Sequence, residues 1–440
     1  MEHYDLAVIG FGKAGKTLAK FAASQGKRVA MIERDQKMYG GTCINVGCIP
    51  SKTLIHDGLE GDSFESAFDR KRQVVGALNQ KNYHMLADES SIDVIDAVAQ
   101  FKSNHEIVLL NHENHEIGVV TADDILINTG ATPVVPDIEG IETSEHLYDS
   151  AGIMDLPFKP KQLVIVGAGY IALEFASLFA HLGVDVTVLA NHDDILPKED
   201  PEIVGLVKED LTTAGVNLVF NAETKRFEDV ENGTIVYTSE GAYEADAVLL
   251  ATGRQPNTQG LGLENTDIKV GERGEIVVND YLQTDVPHIY AAGDVVGGMQ
   301  FTYISLDDFR IIKDQLFGTG ERSTQNRGVV PYTLFIDPPL SRVGMTGDEA
   351  REAGYSVYET KLPVNNIPRH KINNDGRGML KAVMDEKTGL ILGATLYSTG
   401  SEELINLVKL AIDQKVPYSV LGNNIYTHPT MAEAFNDLFK

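Results

Sequence analysis

Cysteine is nearly absent from this chain: only Cys43 and Cys48 occur among its 440 residues. Structural cysteines would be more numerous and more scattered. Basic charge is also scarce. Lys and Arg number 37 against 64 Asp and Glu, a net charge of −27 with an isoelectric point near 4.8. That excludes the basic face that nucleic acid requires and disfavours anionic membrane surfaces. No apolar run approaches the roughly 18–20 residues needed to span a bilayer. The opening Met1-Glu2-His3-Tyr4-Asp5 lacks the basic stretch of a signal peptide and runs straight into a strand pattern. The expectation is a cytoplasmic protein with no nucleic-acid or membrane partner.

What remains is ordinary for a globular chain. Hydrophobic residues make up 43% and charged ones 23%, and the length allows two or three domains. Within it, Gly40-Gly41-Thr42-Cys43-Ile44-Asn45-Val46-Gly47-Cys48-Ile49-Pro50-Ser51-Lys52 stands out. Its cysteines are either two core thiols that happen to be close or a redox-active pair. In cytosol, a disulfide is usually catalytic. On an ideal helix, i and i+5 lie roughly 8.6 Å apart by Cα, beyond the about 4.4–6.8 Å of a disulfide. If the two pair, the segment between them is not regular helix. Gly47 and Pro50 permit that departure.

The N-terminus reads strand, glycine turn, helix, strand, acid. Leu6-Ala7-Val8-Ile9 precedes Gly10-Phe11-Gly12-Lys13-Ala14-Gly15, a helical pattern follows, and Lys27 to Ile32 ends at Glu33. Glu33 follows Gly15 by roughly the 20 residues expected of a ribose-binding carboxylate. Glycines let a backbone approach a pyrophosphate, and the helix start offers free N–H groups. A second copy begins at Leu163-Val164-Ile165-Val166, with Gly167-Ala168-Gly169-Tyr170-Ile171-Ala172 opening a helix. Asp124 to Gly130, which includes Thr129, is echoed by Ala247 to Gly253 and Arg254. The chain thus carries two dinucleotide folds by internal duplication. After the second strand of the second copy stand Asn191 and His192. There is neither the carboxylate that favours NAD nor the arginine that favours NADP, and His192 could donate to a 2′-phosphate.

Ile289 to Val295, with Gly293 and Asp294, reads as a return to the first fold. Asp294 is then either a hydroxyl acceptor or a turn residue. Residues 58–92 read as amphipathic helix, and 318–327 as a polar linker. Asn111 to Glu116 reads as a hairpin turn rather than a metal tract, and no metal site is expected. From Val330 the pattern becomes α+β, with strands at 331–336, 356–363, 378–384 and 389–397 and helices at 346–353, 401–415 and 430–438. Near its end, His428 precedes Pro429 and is held extended. Glu433 lies where it could orient the ring.

With these motifs in place, the chain resembles the class I pyridine nucleotide-disulfide oxidoreductases along essentially its whole length. Gly41-Thr42-Cys43 through Lys52, Gly167 through Glu174, Ala291-Ala292-Gly293-Asp294 and His428-Pro429-Thr430 carry the likeness. Within that family it is similar to the reactive-chlorine-resistance flavoproteins, the hypothiocyanous acid reductases. Gln300-Phe301-Thr302-Tyr303 through Arg310, Pro338 through Thr346 and Glu433 through Phe439 carry that narrower likeness.

The resemblance implies an α/β fold: two Rossmann-like domains, for FAD and NAD(P), and a C-terminal α+β dimerisation domain. The FAD domain would span 1–145 and 266–325, the NAD(P) domain 146–265 and the dimerisation domain 328–440. FAD would lie against Gly10, Gly12, Lys13, Ala14, Gly15, Glu33, Gly41, Thr42, Lys52, Thr129, Gly130, Gly293, Asp294, Phe301 and Thr302. NADPH or NADH would lie against Gly167, Gly169, Ile171, Asn191, His192, Gly253 and Arg254, with Tyr170 as a gate. Lys52 and Glu174 would form an ion pair beside the flavin. Cys48 would be the thiol nearer the flavin and Cys43 the exchange thiol. His428, held by Glu433, would complete the partner's site in a homodimer. The expected substrate is a small oxidant, hypothiocyanous acid first.

Departures from the family narrow the choice. The sequence shows no C-terminal cysteine pair, and no N-terminal metal-binding domain is expected, which speaks against large thioredoxin reductases and mercuric reductase. No arginine lies between Asn191 and Pro197, unlike glutathione reductase, and Ala190 replaces the glutamate of dihydrolipoamide dehydrogenase. The competing readings are a lipoamide or glutathione reductase, a copper or mercuric ion reductase, and a redox-sensing flavoprotein that is not an enzyme.

Overall fold

The computed structural model describes residues 1–440. Strand β1 (Glu2–Ile9) leads into α1 (Lys13–Ser24) and β2 (Val29–Glu33). The redox stretch forms α2 (Thr42–Asn45) and α3 (Cys48–Leu59), followed by α4 (Phe64–Ala87). The single helix expected over 58–92 is thus a break at Asp62-Ser63 followed by a 24-residue helix, with the Ser63 hydroxyl capping Ser66 N–H. β3 (Ile92–Asp96), β4 (Val98–Phe101), β5 (Ile107–Leu110) and β6 (Glu116–Ile127) complete this part. The order is β3-β2-β1-β6-β5-β4, parallel across β3, β2, β1 and β6. Leu6 to Ile9 are all buried, as a strand covered on both faces must be.

After β7 (Ala131–Pro133) and β8 (Leu147–Tyr148), the second copy begins with β9 (Gln162–Val166), α5 (Tyr170–His181), β10 (Asp185–Leu189), α6 (Pro201–Thr213) and β11 (Asn217–Val219). An antiparallel insert of β12 (Thr224–Val230), β13 (Gly233–Thr238) and β14 (Gly241–Ala245) precedes β15 (Ala247–Leu250). The all-parallel order is β11-β10-β9-β15-β8. β16 (Arg254–Pro256) pairs with β7, tying the copies together. β17 (Ile289–Ala291) then joins β6, so the chain does return to the first sheet. α7 (Thr302–Phe317) packs on α1.

The C-terminal part holds β18 (Tyr332–Leu334), β19 (Leu340–Gly344), α8 (Gly347–Glu352), β20 (Val357–Pro363), α9 (Arg369–Asn373), β21 (Met379–Asp385), β22 (Ile391–Tyr397), α10 (Ser401–Asp413), α11 (Tyr418–Gly422) and α12 (Phe435–Leu438). Its antiparallel order is β18-β19-β22-β21-β20. Strand β19 was not expected, because Ser341 and Arg342 interrupt its apolar pattern. Both are buried, Ser341 on Ser401 and Arg342 on the Lys198 carbonyl. The helix expected over 430–438 is a 3-10 turn at Ala432–Ala434 and the short α12. The 318–327 linker is pinned: Arg322 and Arg327 pair with Asp307, and Arg327 also with Asp308.

One apolar core joins α3 and α4 to the second copy and to β18, β19 and β22. Gly58 allows the close approach of α3 to α5, since a Cβ there would lie 3.1 Å from Leu178. This packing sets the redox stretch against the second copy.

Candidate active site

A cleft of about 2180 Å³ runs between these parts. The helices that open onto it are uncapped. α1, α5 and α7 begin after Gly12, Gly169 and Phe301 with no side-chain cap, whereas α6 and α8 carry Asp200 and Thr346 caps. The first N–H groups of α5 and α7 therefore remain available to an anionic ligand, whereas in α1 Ser305 and Asn128 take those of Ala14 and Gly15 and only that of Lys13 stays free.

The glycine turns are shaped by close backbone contact. Gly10 has φ +100°, and a Cβ there would fall 2.4 Å from the Asn128 carbonyl oxygen. Gly167 repeats this against Ala251, with φ +108° and 2.5 Å. Side chains then lock the first turn. Asn128 Oδ1 accepts from Gly15 N–H at 2.9 Å, and its Nδ2 donates to the Ala292 carbonyl at 2.6 Å. Ser305 Oγ accepts from Ala14 N–H at 3.1 Å. Neither Asn128 nor Ser305 was anticipated. Asn128 is the counterpart of Ala251 in the second copy, each carbonyl facing the first glycine of its turn, and the alanine there gives no hint of the side-chain role.

Glu33 Oε2 accepts from Phe11 N–H at 2.9 Å, and Oε1 from Arg34 and Asp35 N–H at 2.9 and 3.2 Å. Burial raises its pKa, and these N–H groups oppose the shift. Oε1 has both lone pairs taken, and Oε2 keeps one for a hydroxyl.

The break between α2 and α3 falls at Val46-Gly47, so the chain between the cysteines is indeed not continuous helix. Both cysteines are thiols. A hydrogen bond between them lowers the Cys43 pKa to about 6 against the opposing effect of burial, with help from Thr302 and the Lys16 charge. The same bond, with burial, raises Cys48. The pair thus shares one negative charge. Cys48 Sγ lies 3.7 Å from Thr302 Oγ1 at the start of α7.

Lys16 is a further residue that the sequence did not single out. It is 6% exposed, and its ammonium donates only to neutral acceptors, Gly40 O at 3.0 Å and Asn82 Oδ1 at 2.6 Å. Burial, with the like charge of Lys13, lowers its pKa to about 8. A buried cation without a carboxylate stabilises a nearby anion. Reactivity of Cys43 is expected to rise with pH through about 6, as thiolate forms. Lys16→Met moves that limb to higher pH and Lys16→Arg restores it, read from alkylation rates of the reduced protein between pH 5 and 8 as an order-of-magnitude range.

Lys52 Nζ donates to Glu174 Oε2 at 2.5 Å across the α3–α5 contact. Glu174 Oε1 accepts from Phe335 N–H at 3.0 Å, and the Lys52 ammonium sits 5.0 Å from the Phe335 ring centre. Tyr170 projects into the same cleft, its hydroxyl donating to Glu199 at 2.7 Å.

The cleft brings together Gly10, Gly12, Lys13, Glu33, Gly41, Thr42, Cys43, Cys48, Lys52, Thr129, Gly130, Tyr170, Ile171, Glu174, Arg254, Asp294, Phe301 and Thr302. Ala14, Gly15 and Gly293 lie behind its wall. Gly167, Gly169 and Gly253 stand at the carboxyl ends of β9 and β15, where open α/β sheets bind nucleotides. Asn191 and His192 are exposed beyond the end of β10. His428 and Glu433 do not line the cleft. His428 Nδ1 meets Glu433 Oε2 at 2.7 Å on a face where the histidine side chain is 69% exposed.

These residues fit two dinucleotides. The half-buried Asp294 faces the cleft, its pKa raised by burial. A Cβ at Gly169, where φ is −80°, would meet no protein atom within 4 Å, so neither packing nor backbone conformation requires glycine there, whereas a close-lying ligand would.

Residues 4–308 match the pyridine nucleotide-disulphide oxidoreductase family, and 330–439 match that family's dimerisation domain. The chain is 50% identical to the probable pyridine nucleotide-disulfide oxidoreductase RclA of Escherichia coli, covering 100% of this chain and 99% of the relative. It is 34% identical to a mercuric reductase of Staphylococcus aureus, over 98% of this chain and 81% of that enzyme. The Cu(II) complex of the HOCl-induced flavoprotein disulfide reductase RclA from E. coli superimposes with a TM-score of 0.97 at 49% identity, covering 100% and 99% of the two chains. The chain belongs to the pyridine nucleotide-disulfide oxidoreductases, flavoproteins that use FAD and NAD(P)H.

Proposed function

We propose that this chain is an NAD(P)H-dependent flavoprotein reductase of a small oxidant, hypothiocyanous acid, acting through Cys43 and Cys48 in the cytoplasm. The observation that carries this reading is the wall beside the dithiol. Phe301 stacks on Tyr303 at 5.0 Å and on Tyr332 at 6.3 Å, next to the Thr302 that touches Cys48. This aromatic wall suits a small oxidant better than a bulky disulfide. The relationship to an HOCl-induced reductase supports a role in reactive-chlorine stress.

FAD, when bound, supplies the redox link between nicotinamide and the disulfide. The chain's own residues do the rest. Tyr170 covers the nicotinamide side. Glu174 holds the Lys52 ammonium beside the flavin, where a cation favours added electrons. Cys48 faces the flavin, and Cys43 meets the oxidant. Glu433 binds His428 Nδ1 and so leaves Nε2 outward. Because His428 lies away from its own chain's cleft, His428 of the partner subunit serves Cys43 in a homodimer. It takes the Cys43 proton; the thiolate attacks the sulfur of HOSCN; the proton returns to the departing hydroxide as water. Cys48 then loses its proton to water and attacks Cys43 Sγ; thiocyanate leaves and the disulfide forms. Asn191 and His192 admit either nicotinamide dinucleotide.

The test is steady-state turnover of hypothiocyanous acid against lipoamide and glutathione disulfide, with NADH and NADPH in parallel. The expected order is hypothiocyanous acid first, by at least about tenfold in kcat/KM. A bulky disulfide in first place overturns the assignment. A second reading, copper(II) reduction, is favoured by the Cu(II) complex of the E. coli relative. It requires copper(II) reduction that outpaces hypothiocyanous acid turnover.

A further inference from the structure

Tyr170 opens α5, with 42% of its surface exposed. Its hydroxyl donates to Glu199 Oε1 at 2.7 Å, and Tyr332 of β18 donates to the same oxygen at 2.6 Å. The Glu199 side chain is wholly buried. Its Oε2 accepts no hydrogen bond. The cation beside it, Arg342, stands 3.6 Å away and is already bonded to the Lys198 carbonyl and to Glu349. The two tyrosine rings meet edge to face at 5.9 Å.

A carboxylate this deep depends on its donors. When the Tyr170 hydroxyl leaves, Oε1 keeps Tyr332 alone. The closed position of Tyr170 is therefore favoured by a charge-assisted hydrogen bond in dry surroundings. The two hydroxyls also compete, because they share one oxygen.

We propose that Glu199 is a latch: with Tyr332 it holds Tyr170 closed and sets how readily nicotinamide displaces that ring. This rests on the reading of Tyr170 as the cover of the nicotinamide side. Binding energy of the dinucleotide is drawn on to break the Tyr170–Glu199 bond, which weakens apparent affinity. Glu199 acts through Tyr170 and is a positioning residue. Tyr332 also stacks on Phe301, and Thr302 beside it touches Cys48. The latch thus stands between the nicotinamide side and the dithiol.

The experiment is anaerobic stopped-flow reduction of the FAD-loaded dimer by NADH and by NADPH, with Kd taken from the concentration dependence. Tyr170→Phe lowers Kd by about tenfold or more, the loss of one hydrogen bond to a charged group, and Glu199→Gln, which removes the charge but leaves an accepting amide oxygen, lowers it by less. Together they give no more than Y170F alone, since both act on the same bond. Tyr332→Phe raises Kd, because Tyr170 then becomes the sole donor. General loosening of the site would not produce that opposite sign. Unchanged Kd in Y170F and E199Q, or a lowered Kd in Y332F, overturns the latch. Should E199Q fail to fold, Y170F and Y332F still decide. Tyr170→Ala separates the two readings. If Y170A alters neither Kd nor reduction rate, Tyr170 is no cover and the underlying reading fails. If Y170A lowers Kd while Y170F does not, the cover stands and the latch fails.

Discussion

Cys43→Ser is expected to lower kcat/KM for hypothiocyanous acid by about 10³-fold or more, while anaerobic reduction of the flavin by NAD(P)H continues. On the proposed mechanism the two halves of the reaction separate because the nicotinamide side uses Tyr170, Lys52 and Glu174, and the oxidant side uses the thiols. Cys48→Ser should fail differently. Its Cys43 still attacks the oxidant, but nothing displaces thiocyanate. Intact-mass measurement after one exposure should then show one thiocyanate group on the chain, absent from Cys43→Ser. Full turnover in Cys43→Ser would place the acceptor directly at the flavin and sink the dithiol route. The electrostatics around Cys43 support its role: a thiol lowered to about 6 is largely thiolate at neutral pH.

His428→Gln should reduce kcat/KM for the same oxidant by about 10²-fold or more, the size of a general acid–base contribution. The sharper result comes from mixing. A Cys43→Ser chain keeps its histidine, and a His428→Gln chain keeps its thiols. If His428 serves the partner, a hybrid dimer has one intact site. Equal mixing with random reassociation makes half the dimers hybrid, so activity recovers to roughly a quarter of the wild-type value per protomer. No recovery, with hybrids demonstrated by mass, would mean that His428 serves its own chain. Glu433→Gln should act in the same direction but less, since it orients the ring without touching the oxidant.

Much of the architecture was legible because its signals are local. The strand, glycine turn and helix of β1 and α1 lie within one stretch, and so do those of β9 and α5. A φ of +100° at Gly10 is a demand on one residue. The cysteine spacing carried its own constraint, and the chain does break at Val46-Gly47. Less legible were elements whose stability is tertiary. Strand β19 has Arg342 in its middle, and only burial against the Lys198 carbonyl and Glu199 explains it. The end of the chain reads as one helix yet folds as a 3-10 turn and a short helix around the His428–Glu433 bond.

The candidate site divides in the same way. Cys43, Cys48, Lys52 and the glycines announce themselves by type and spacing. Asn128, Ser305, Lys16 and Glu199 do not, because each acts on something distant in the chain. Asn128 braces Gly15, Ser305 braces Ala14, and Lys16 backs onto Gly40. Glu199 is one carboxylate among 64 acidic residues in the sequence and matters only where two tyrosines meet it.

By itself, then, the sequence determined the two nucleotide folds, the dithiol and the scarcity of any other thiol. Those follow from backbone sterics and residue chemistry within short windows. Only the tertiary structure decided which charges face which. It buried Lys16 without a carboxylate and set two tyrosine hydroxyls on the buried Glu199. Electrostatic effects depend on distance and burial, and neither is a property of position along the chain.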